Sequence, residues 1–474
     1  MSLSIYNTLS RTKEEFIPLQ GKNVGMYVCG PTVYGMPHVG HAKSYVSFDI
    51  IHRYLTYLGY NVKYVQNITD VGHLVGDSDE GEDKIQKQAR LEALDPVAIA
   101  YRYETLYFDC MDALGVRKPT ISCRATGHII EIISMVQELI DKGYAYVTDA
   151  GNVYYRVSSF KDYGKLSHRE IDETVSGSRI NVADDKEQPE DFALWKKADG
   201  GHLMKWPSPW GEGYPGWHIE CSVMSRKYLG ETFDIHGGGI DNMFPHHDCE
   251  IAQSEAVNGC PFVKYFVHNN LVTVNGQKMG KSLGKFITLP DLFAEFDPML
   301  IRFYILQAHY RKPTDFDRTK IAEVGDIYDK LCASIASARR RAGEAAPIED
   351  ADAARLQADF EAAMNDDFNT ALAISTVYEL SKTLNTECAK GAPDAGRLAA
   401  LLRVVDECFI PVLGLTFAAK GGDDSGKYIE YILQLRADMR KEKRFDVADR
   451  IRDDLAAMGV EVLDGKAGSG WRLK

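Results

Sequence analysis

Two short segments carry the side chains needed to hold a phosphate chain. His38 and His41 belong to an HVGH motif, and Lys278 and Lys281 belong to a KMGKS motif. Imidazoles at a helix N-terminus donate hydrogen bonds to phosphate oxygens, and the backbone N–H groups there add to the positive field. Lysines on a loop can stabilise charge on departing pyrophosphate. Either motif alone is also typical of a surface turn, so the prediction of a nucleotide site depends on both.

A second set of side chains has the types that bind zinc: Cys29, Cys221, His246 and Glu250. Pro245 suits the first turn of a helix, and residues four apart on a helix share a face, so His246 and Glu250 should point the same way. Two thiolates, an imidazole and a carboxylate suit a tetrahedral zinc ion. His247 and Cys249 are rival ligands by type. Without further support, Cys29 and Cys221 are equally typical of small buried residues.

These residues follow the elements of a βαβ unit. Residues 24–30 read as a buried strand, the next twenty residues from Gly40 show helical spacing up to Gly59, and residues 61–68 read as a second strand. Strand-like patterns return at 233–239 and 263–276. The order predicts a parallel sheet with a nucleotide site at the carboxyl ends of its strands.

The rest of the chain divides into recognisable stretches. Residues 71–83 are acidic and glycine-rich, which favours a solvated surface loop. Residues 84–115 and 126–143 have helical patterns, and residues 418–427 resemble a linker before a helical pair and a short tail. We therefore predict an α/β protein with a Rossmann-type catalytic domain (1–143 and 216–320), an inserted connective module (144–215), a helical bundle (321–420) and a small C-terminal domain (427–474).

Composition limits the functional classes. The net charge of −13 disfavours a general nucleic-acid binder, although a local basic patch could still bind RNA. Nine cysteines without a regular spacing favour reduced thiols. No apolar stretch is long enough to cross a bilayer, and the N-terminus lacks the apolar core of a signal peptide. We expect a cytoplasmic monomer that does not associate with a membrane.

HVGH and KMGKS, about 240 residues apart, resemble the HIGH and KMSKS signature pair of class I aminoacyl-tRNA synthetases. Val39 replaces isoleucine, which is a change of similar volume. Gly280 replaces serine, which removes a hydroxyl and loosens the loop. No histidine or lysine of either motif is lost.

Within that class the chain resembles the cysteinyl-tRNA synthetases most closely. The resemblance is strong over about residues 1–320 and looser beyond. It is carried by CGPTVYGMPHVGH, NITD, GWHIECS, FDIHGGGIDNMFPHHDCEIAQ and KMGKS. One segment departs from the pattern: where many members read NITDIDDKI, this chain has the acidic insertion 71–83.

The resemblance implies a reaction and a set of site residues. L-cysteine would be activated with ATP and Mg²⁺ and transferred to tRNA(Cys), with the substrate sulfur bound to one Zn²⁺ per chain. Cys29, Cys221, His246 and Glu250 would bind the zinc, and Cys29, Thr69 and Trp217 would line the amino-acid pocket. The implied ATP site comprises His38, Gly40, His41, His236, Gly237, Gly238, Gly239, Asp241, Lys278 and Lys281. His38, His41, Lys278 and Lys281 would be catalytic.

Zinc suits this substrate because cysteine and serine differ by one atom. A hydrophobic pocket separates such pairs poorly, whereas zinc binds thiolate much better than hydroxyl and lowers the thiol pKa. No editing domain is then needed, and the inserted module is too short for a typical one.

Two other functions fit part of the pattern. A ligase that joins cysteine to an amino sugar would share the zinc site and HxGH but would not need an anticodon-reading tail. From Lys427 onward the chain has eleven Lys and Arg against nine Asp and Glu, a charge of +2, together with the terminal Trp471, which could stack on a base. A non-catalytic RNA-binding paralogue would typically lose residues of the two motifs, and this chain keeps them.

Overall fold

The computed structural model describes residues 2–75, 81–169, 185–274, 276–278, 286–418, 425–465 and 468–473. The chain forms two compact units, each assembled from separate stretches of sequence. The first comprises Met1–Val324, Asp350–Leu380 and Arg403–Leu415, and the second comprises Gly325–Glu349, Ser381–Leu402 and Thr416–Lys474. Among the described residues, no helix combines the length and the apolar character that a membrane span requires.

Short strands and helices both occur through the first 316 residues, and helices dominate thereafter. The strands are β1 (Ser4–Asn7), β2 (Thr12–Glu15), β3 (Asn23–Val28), β4 (Asn61–Ile68), β5 (Ile121–Arg124), β6 (Ala145–Val147), β7 (Val153–Tyr155), β8 (Phe192–Lys197), β9 (Trp206–Ser208), β10 (Gly211–Pro215), β11 (Phe233–Gly239), β12 (Val263–Asn269), β13 (Val272–Val274), β14 (Gln277–Lys278), β15 (Thr314–Phe316), β16 (Val460–Gly465) and β17 (Gly468–Leu473).

The α-helices alternate with the early strands and then follow one another. They are α1 (Val39–Tyr57), α2 (Lys84–Glu92), α3 (Pro96–Ala113), α4 (Ile129–Asp141), α5 (Ile219–Leu229), α6 (Asp248–Asn258), α7 (Leu289–Glu295), α8 (Pro298–Leu306), α9 (Arg318–Ala342), α10 (Ala351–Asn365), α11 (Thr370–Cys388), α12 (Ala395–Val404), α13 (Ile410–Leu413), α14 (Ser425–Lys441) and α15 (Phe445–Ala457).

A five-stranded parallel sheet positions the site. Its strand order is β12-β11-β3-β4-β5, and every neighbouring pair is parallel. The chain moves from β3 outward to β5 and later returns to the other side of β3 with β11. This reversal makes the β3/β11 boundary a topological switch point, where ligands of open α/β sheets bind. The predicted Rossmann-type α/β fold with a later helical region is confirmed.

Local sequence explains the first βαβ unit. The last five residues of β4 are continuously buried, as expected of a strand covered on both faces. Helix α1 ends at Tyr57, and Gly59 at φ +82 turns the chain into β4, a conformation that glycine adopts without strain. The predicted strand at 61–68 coincides with β4.

The pattern at 84–115 is two helices rather than one. Ala93 adopts a left-handed conformation (φ +53) after α2, and Asp95 then caps α3 by accepting a hydrogen bond from the Val97 amide. Pro96 occupies the first position of α3, where its missing N–H costs nothing. The helical periodicity continues across this break, which is why the sequence pattern does not reveal it.

The segment after α4 forms a separate antiparallel sheet with the order β6-β7-β8-β10-β9. It packs on its own apolar cluster, which includes Tyr155, Trp195 and the inner face of α4. The expected boundaries of the connective module, and those of the other domains, stay predictions.

In the second unit, α14 and α15 pack with a hairpin formed by β16 and β17. The sequence predicts a short tail after the helical pair, but the residues of this tail form the two paired strands of the hairpin. The hairpin and helices share a small core of Ile429, Leu433, Leu455 and Val460, against which Trp471 is partly buried.

Candidate active site and metal centre

A cleft of about 440 Å³ opens where the strand order of the parallel sheet reverses. Cys29 follows β3, Thr69 follows β4, and Gly239 ends β11, so three neighbouring strands each deliver a predicted site residue to the cleft wall. Trp217 and His246 also line the cleft. The sheet therefore brings together residues that are far apart in sequence.

Four buried ligand atoms meet beside the cleft, from Cys29, Cys221, His246 and Glu250, and all lie within 4.8 Å of one another. Cys29 Sγ is 4.0 Å from Cys221 Sγ, and Cys221 Sγ is 3.6 Å from His246 Nε2. His246 Nε2 is 3.2 Å from Glu250 Oε1, which agrees with the predicted shared face. Bonds of about 2.0–2.3 Å in a tetrahedral zinc site would separate neighbouring ligand atoms by roughly 3.3–3.8 Å, close to these distances.

The helix that carries Glu250 does not begin at Pro245. Regular helix starts at Asp248, and His246 lies in the irregular turn Met243–His247 that precedes it. The four-residue spacing still places His246 and Glu250 together because helical geometry resumes before Asp248.

The two rival ligands behave differently. Cys249 points away from the cluster, with its Sγ 3.4 Å from the Tyr163 hydroxyl and its side chain in the core below the antiparallel sheet. His247 Nε2 is 3.3 Å from Cys29 Sγ, and a second possible ligand set is Cys29, His236, His247 and Glu250. His246 lines the cleft, whereas His236 and His247 are fully buried. A ligand that enters through the cleft therefore reaches the first set more directly.

Burial alone works against ionised ligands at this cluster. It raises the pKa of the Cys29 thiol well above its ordinary value, and it also raises the pKa values of the Cys221 thiol and the Glu250 carboxyl. Uncompensated thiolates are therefore unfavourable here, and a divalent cation is the group that would favour them. Two soft sulfur donors with one imidazole suit zinc and not magnesium or calcium.

Two further histidines hold the candidate ligands in place. His236 Nε2 lies 2.8 Å from Glu250 Oε2, on the oxygen opposite the one that faces the cluster. His218 Nδ1 lies 2.8 Å from His246 Nδ1, so His246 can present Nε2 to a metal while its other nitrogen is engaged. Such outer contacts fix the orientation of metal ligands.

The HVGH motif forms the N-terminus of α1. His38 is the N-cap, and its Nδ1 accepts a hydrogen bond from the Gly40 amide at 3.1 Å. The His41 Nδ1 accepts from the His38 amide at 3.1 Å, and the two rings stack with centroids 3.8 Å apart. Because each Nδ1 is an acceptor, each neutral ring carries its proton on Nε2. Both histidines line the cleft as donors suited to phosphate oxygens.

Comparisons with known proteins agree with this geometry. A family model of the class I (C) tRNA synthetase catalytic domain matches residues 15–326. The cysteine–tRNA ligase of Chlorobium luteolum is 52% identical over 485 residues and that of Bacteroides fragilis 47% over 488, in each case covering 99% of both chains. The chain belongs to the cysteine–tRNA ligase family. It is accordingly a class I aminoacyl-tRNA synthetase, and the predicted family is confirmed.

Two more family models add to this assignment, and a solved structure shares the fold. A DALR domain model matches residues 359–418, and a cysteinyl-tRNA ligase anticodon binding domain model matches residues 425–472. Methionyl-tRNA synthetase of Mycobacterium tuberculosis bound by methionyl-adenylate has a TM-score of 0.60 at 14% identity, covering 87% of this chain and 94% of that one. At this identity the likeness shows the shared fold alone.

Only part of the HGGG segment of this ligase-family member lines the described cleft, and the expected adenosine contacts of the segment stay a prediction. The His236 side chain is fully buried against Glu250 and is not part of the cleft wall. A Cβ on Gly237 would lie 2.3 Å from the Phe48 ring, so this glycine allows α1 to approach the sheet. Gly239 and Asp241 do line the cleft.

The KMGKS motif falls largely outside the described part of the ligase. The backbone of Lys278 belongs to β14, where it pairs with Thr273 of β13. The Lys278 side chain and the whole of Lys281 lie beyond what the structure describes, so their contacts with ATP stay predictions.

The predicted amino-acid pocket is a connected set of contacts. Thr69 donates a hydrogen bond to Glu220 Oε2 at 2.9 Å and accepts one from Asn67 Nδ2 at 3.0 Å. Burial raises the pKa of the Glu220 carboxyl, the sequence neighbour of Cys221, well above its ordinary value. The Trp217 indole stacks on the His246 ring with centroids 4.4 Å apart.

The composition of the acidic insertion predicts a solvated surface loop, but part of the insertion is buried. Val71, His73, Leu74 and Asp83 are buried, and only the tip, residues 76–80, lies outside the described chain. His73 and the following Lys84 line the cleft, and neither was expected there. The available signal was the single histidine within an otherwise acidic segment.

Proposed function

We propose that the protein activates L-cysteine with ATP and Mg²⁺ to cysteinyl-adenylate and transfers the cysteinyl group to the 3′ end of tRNA(Cys). One zinc ion per chain would bind the substrate thiol. The observation that carries this proposal is the cluster of four buried ligand atoms within 4.8 Å of one another beside the cleft. Family membership supports the charging of tRNA with cysteine, and the cluster supports the choice of a thiol substrate.

Zinc at Cys29, Cys221, His246 and Glu250 would favour the thiolate form of cysteine and reject serine, whose hydroxyl is a poor zinc ligand. A zinc ion held by all four residues would have a complete tetrahedral set of ligands, so binding of the substrate sulfur would require either a fifth ligand position or the release of Glu250. We favour expansion. His236 holds Glu250 Oε2 at 2.8 Å, which opposes withdrawal.

The side chains of the chain divide the remaining work. His38 and His41 donate Nε2–H groups to the phosphates at the N-terminus of α1. Lys278 and Lys281 stabilise the charge on departing pyrophosphate. Gly239 and Asp241 contact the adenosine part of the adenylate, and Thr69 and Trp217 line the cysteine pocket. The C-terminal residues 425–472 bind the anticodon of tRNA(Cys). We expect the protein to act as a cytoplasmic monomer.

The test combines metal analysis with pyrophosphate exchange. Wild type should contain about one zinc per chain and exchange pyrophosphate in a cysteine-dependent way. Cys221→Ser should lose both properties, while Cys249→Ser, which alters a buried thiol outside the cluster, should keep both. Full cysteine activation by a metal-free preparation would contradict the proposed role of zinc.

A ligase that joins cysteine to an amino sugar is the second candidate. The anticodon-domain match at 425–472 favours tRNA. Purified wild type should charge tRNA(Cys) with cysteine. Formation of the adenylate without charging of tRNA, together with consumption of an amino sugar, would favour the second candidate.

A further inference from the structure

Three aromatic rings form one column at the edge of the cleft. The Trp217 indole stacks on His73 with centroids 4.0 Å apart and an interplanar angle of 12°, and on His246 at 4.4 Å and 24°. Two imidazoles at these distances would overlap if they shared one face, so they cover opposite faces of the indole. His246 is a candidate metal ligand, and His73 comes from the acidic insertion.

Both nitrogens of the His73 ring are engaged. Nε2 lies 2.7 Å from Lys84 Nζ, and Nδ1 lies 2.6 Å from Thr32 Oγ1. An ammonium group only donates, so Nε2 accepts from Lys84, and Nδ1 carries the proton and donates to Thr32. The side chain is 8% exposed. The ring therefore cannot turn or withdraw without breaking two hydrogen bonds.

The base of the insertion is built to hold this ring. The Lys84 amide donates to the His73 carbonyl at 2.9 Å, and the Gly72 amide donates to the buried Asp83 carboxylate at 2.8 Å. A Cβ on Gly72 would lie 2.4 Å from the Pro215 carbonyl oxygen. The insertion thus packs closely against the strand that leads to Trp217.

We propose that His73 is a positioning residue that sets the size of the thiol pocket by holding Trp217 against His246. The inference rests on the proposed function. Zinc discriminates a thiol from a hydroxyl, but it binds the thiols of cysteine and homocysteine equally well. Rejection of homocysteine then depends on a rigid pocket wall. In such a pocket one additional methylene changes kcat/KM by about 10–200-fold.

The experiment uses the full-length enzyme and measures cysteine- and homocysteine-dependent pyrophosphate exchange. His73→Ala should raise the KM for cysteine about tenfold, with kcat within about twofold, and lower the cysteine/homocysteine ratio of kcat/KM about tenfold. His73→Phe keeps a stacking ring without the hydrogen bonds and should recover most of the selectivity. His73→Gln keeps polar contacts without the ring and should not.

A matched control comes from the inserted sheet region. His202 is 7% exposed and stacks on Tyr214 with centroids 4.1 Å apart at 7°, but it does not belong to the cleft wall. His202→Ala removes a comparable contact and should leave the KM and the selectivity ratio unchanged.

An unchanged cysteine/homocysteine ratio in His73→Ala would overturn the proposal, as would an equal loss in His202→Ala. If His73→Ala does not fold, the comparison of His73→Phe with His73→Gln decides, and equal ratios in these two variants would overturn it. Failure of wild type to activate cysteine would instead contradict the proposed function.

Discussion

The residue types that the sequence analysis singles out have different roles in two regions. In the candidate metal-ligand cluster they meet beside the cleft, whereas in the C-terminal domain two of them pack inside the domain. At the cleft, two thiols, an imidazole and a carboxylate that are distant in sequence converge within 4.8 Å. In the C-terminal domain, the basic Arg436 is 1% exposed and donates to the Ala448 carbonyl at 3.2 Å and to Ser469 Oγ at 3.1 Å. Trp471, expected to stack on a base, packs against the small core of its own domain.

The difference reflects how much each function demands of its residues. Metal binding needs particular donor atoms at fixed separations, so residue type and spacing are strong signals. An RNA-binding surface can be assembled from any exposed cations and rings, so the same residue types are also free to pack inside a domain. The cations that follow Arg436 in the chain are exposed: Arg440, Lys441, Lys443 and Arg444.

The largest expected effect tests the cleft side of the comparison. Serine should be activated at least ~10⁴-fold less efficiently than cysteine, as when a site rejects an analogue that lacks its key contact. The measurement is kcat/KM for pyrophosphate exchange with each amino acid. A ratio near ~100 would indicate a pocket that works by size.

The KMGKS loop should show the next largest effect. Lys281→Ala should lower the rate of adenylate formation by roughly 10²–10³, as for the loss of one preorganised donor at developing charge. Cysteine affinity without ATP should barely change. Lys285→Ala, on the same segment but outside the motif, is the control, and an equal effect there would remove the special role of Lys281.

Removal of the C-terminal domain tests the predicted role of that domain in binding tRNA. A chain that ends before Ser425 should still form cysteinyl-adenylate at close to the normal rate, because the cleft belongs to the first unit. Charging of tRNA should fall by ~10²-fold or more, since each lost stacking contact is worth roughly 1–3 kcal/mol. Normal charging by the shortened chain would mean that this domain is only structural.

Two arginines within that domain give the smallest and most specific contrast. Arg436→Met should lower the free energy of opening of the β16/β17 hairpin by ~2 kcal/mol, because it removes buried hydrogen bonds. Arg440→Ala should leave that free energy within ~0.5 kcal/mol but reduce the salt dependence of tRNA binding by about one unit of slope. Hydrogen exchange measures the free energy of hairpin opening, and salt titration measures the salt dependence of tRNA binding. A larger loss of hairpin stability in Arg440→Ala than in Arg436→Met would contradict the packing role of Arg436.

Much of the cleft followed from sequence because its residues come from elements with clear periodicity. The β4 strand at 61–68 and the α1 helix behind HVGH place Cys29, His38 and Thr69 together through parallel-sheet topology alone. The role of His73 could not be predicted, because composition marked its segment as solvated and only tertiary packing brings its ring to Trp217. The burial of Arg436 was hidden for the same reason.

The most direct test is to replace the proposed zinc by cobalt(II) and to follow the optical spectrum as substrate is added. The thiolates of Cys29 and Cys221 should give sulfur-to-metal charge-transfer absorption in the substrate-free enzyme. Cysteine should increase that absorption by adding a third sulfur ligand, and serine should not. An identical spectrum with and without saturating cysteine would contradict the central claim that the metal binds the substrate thiol.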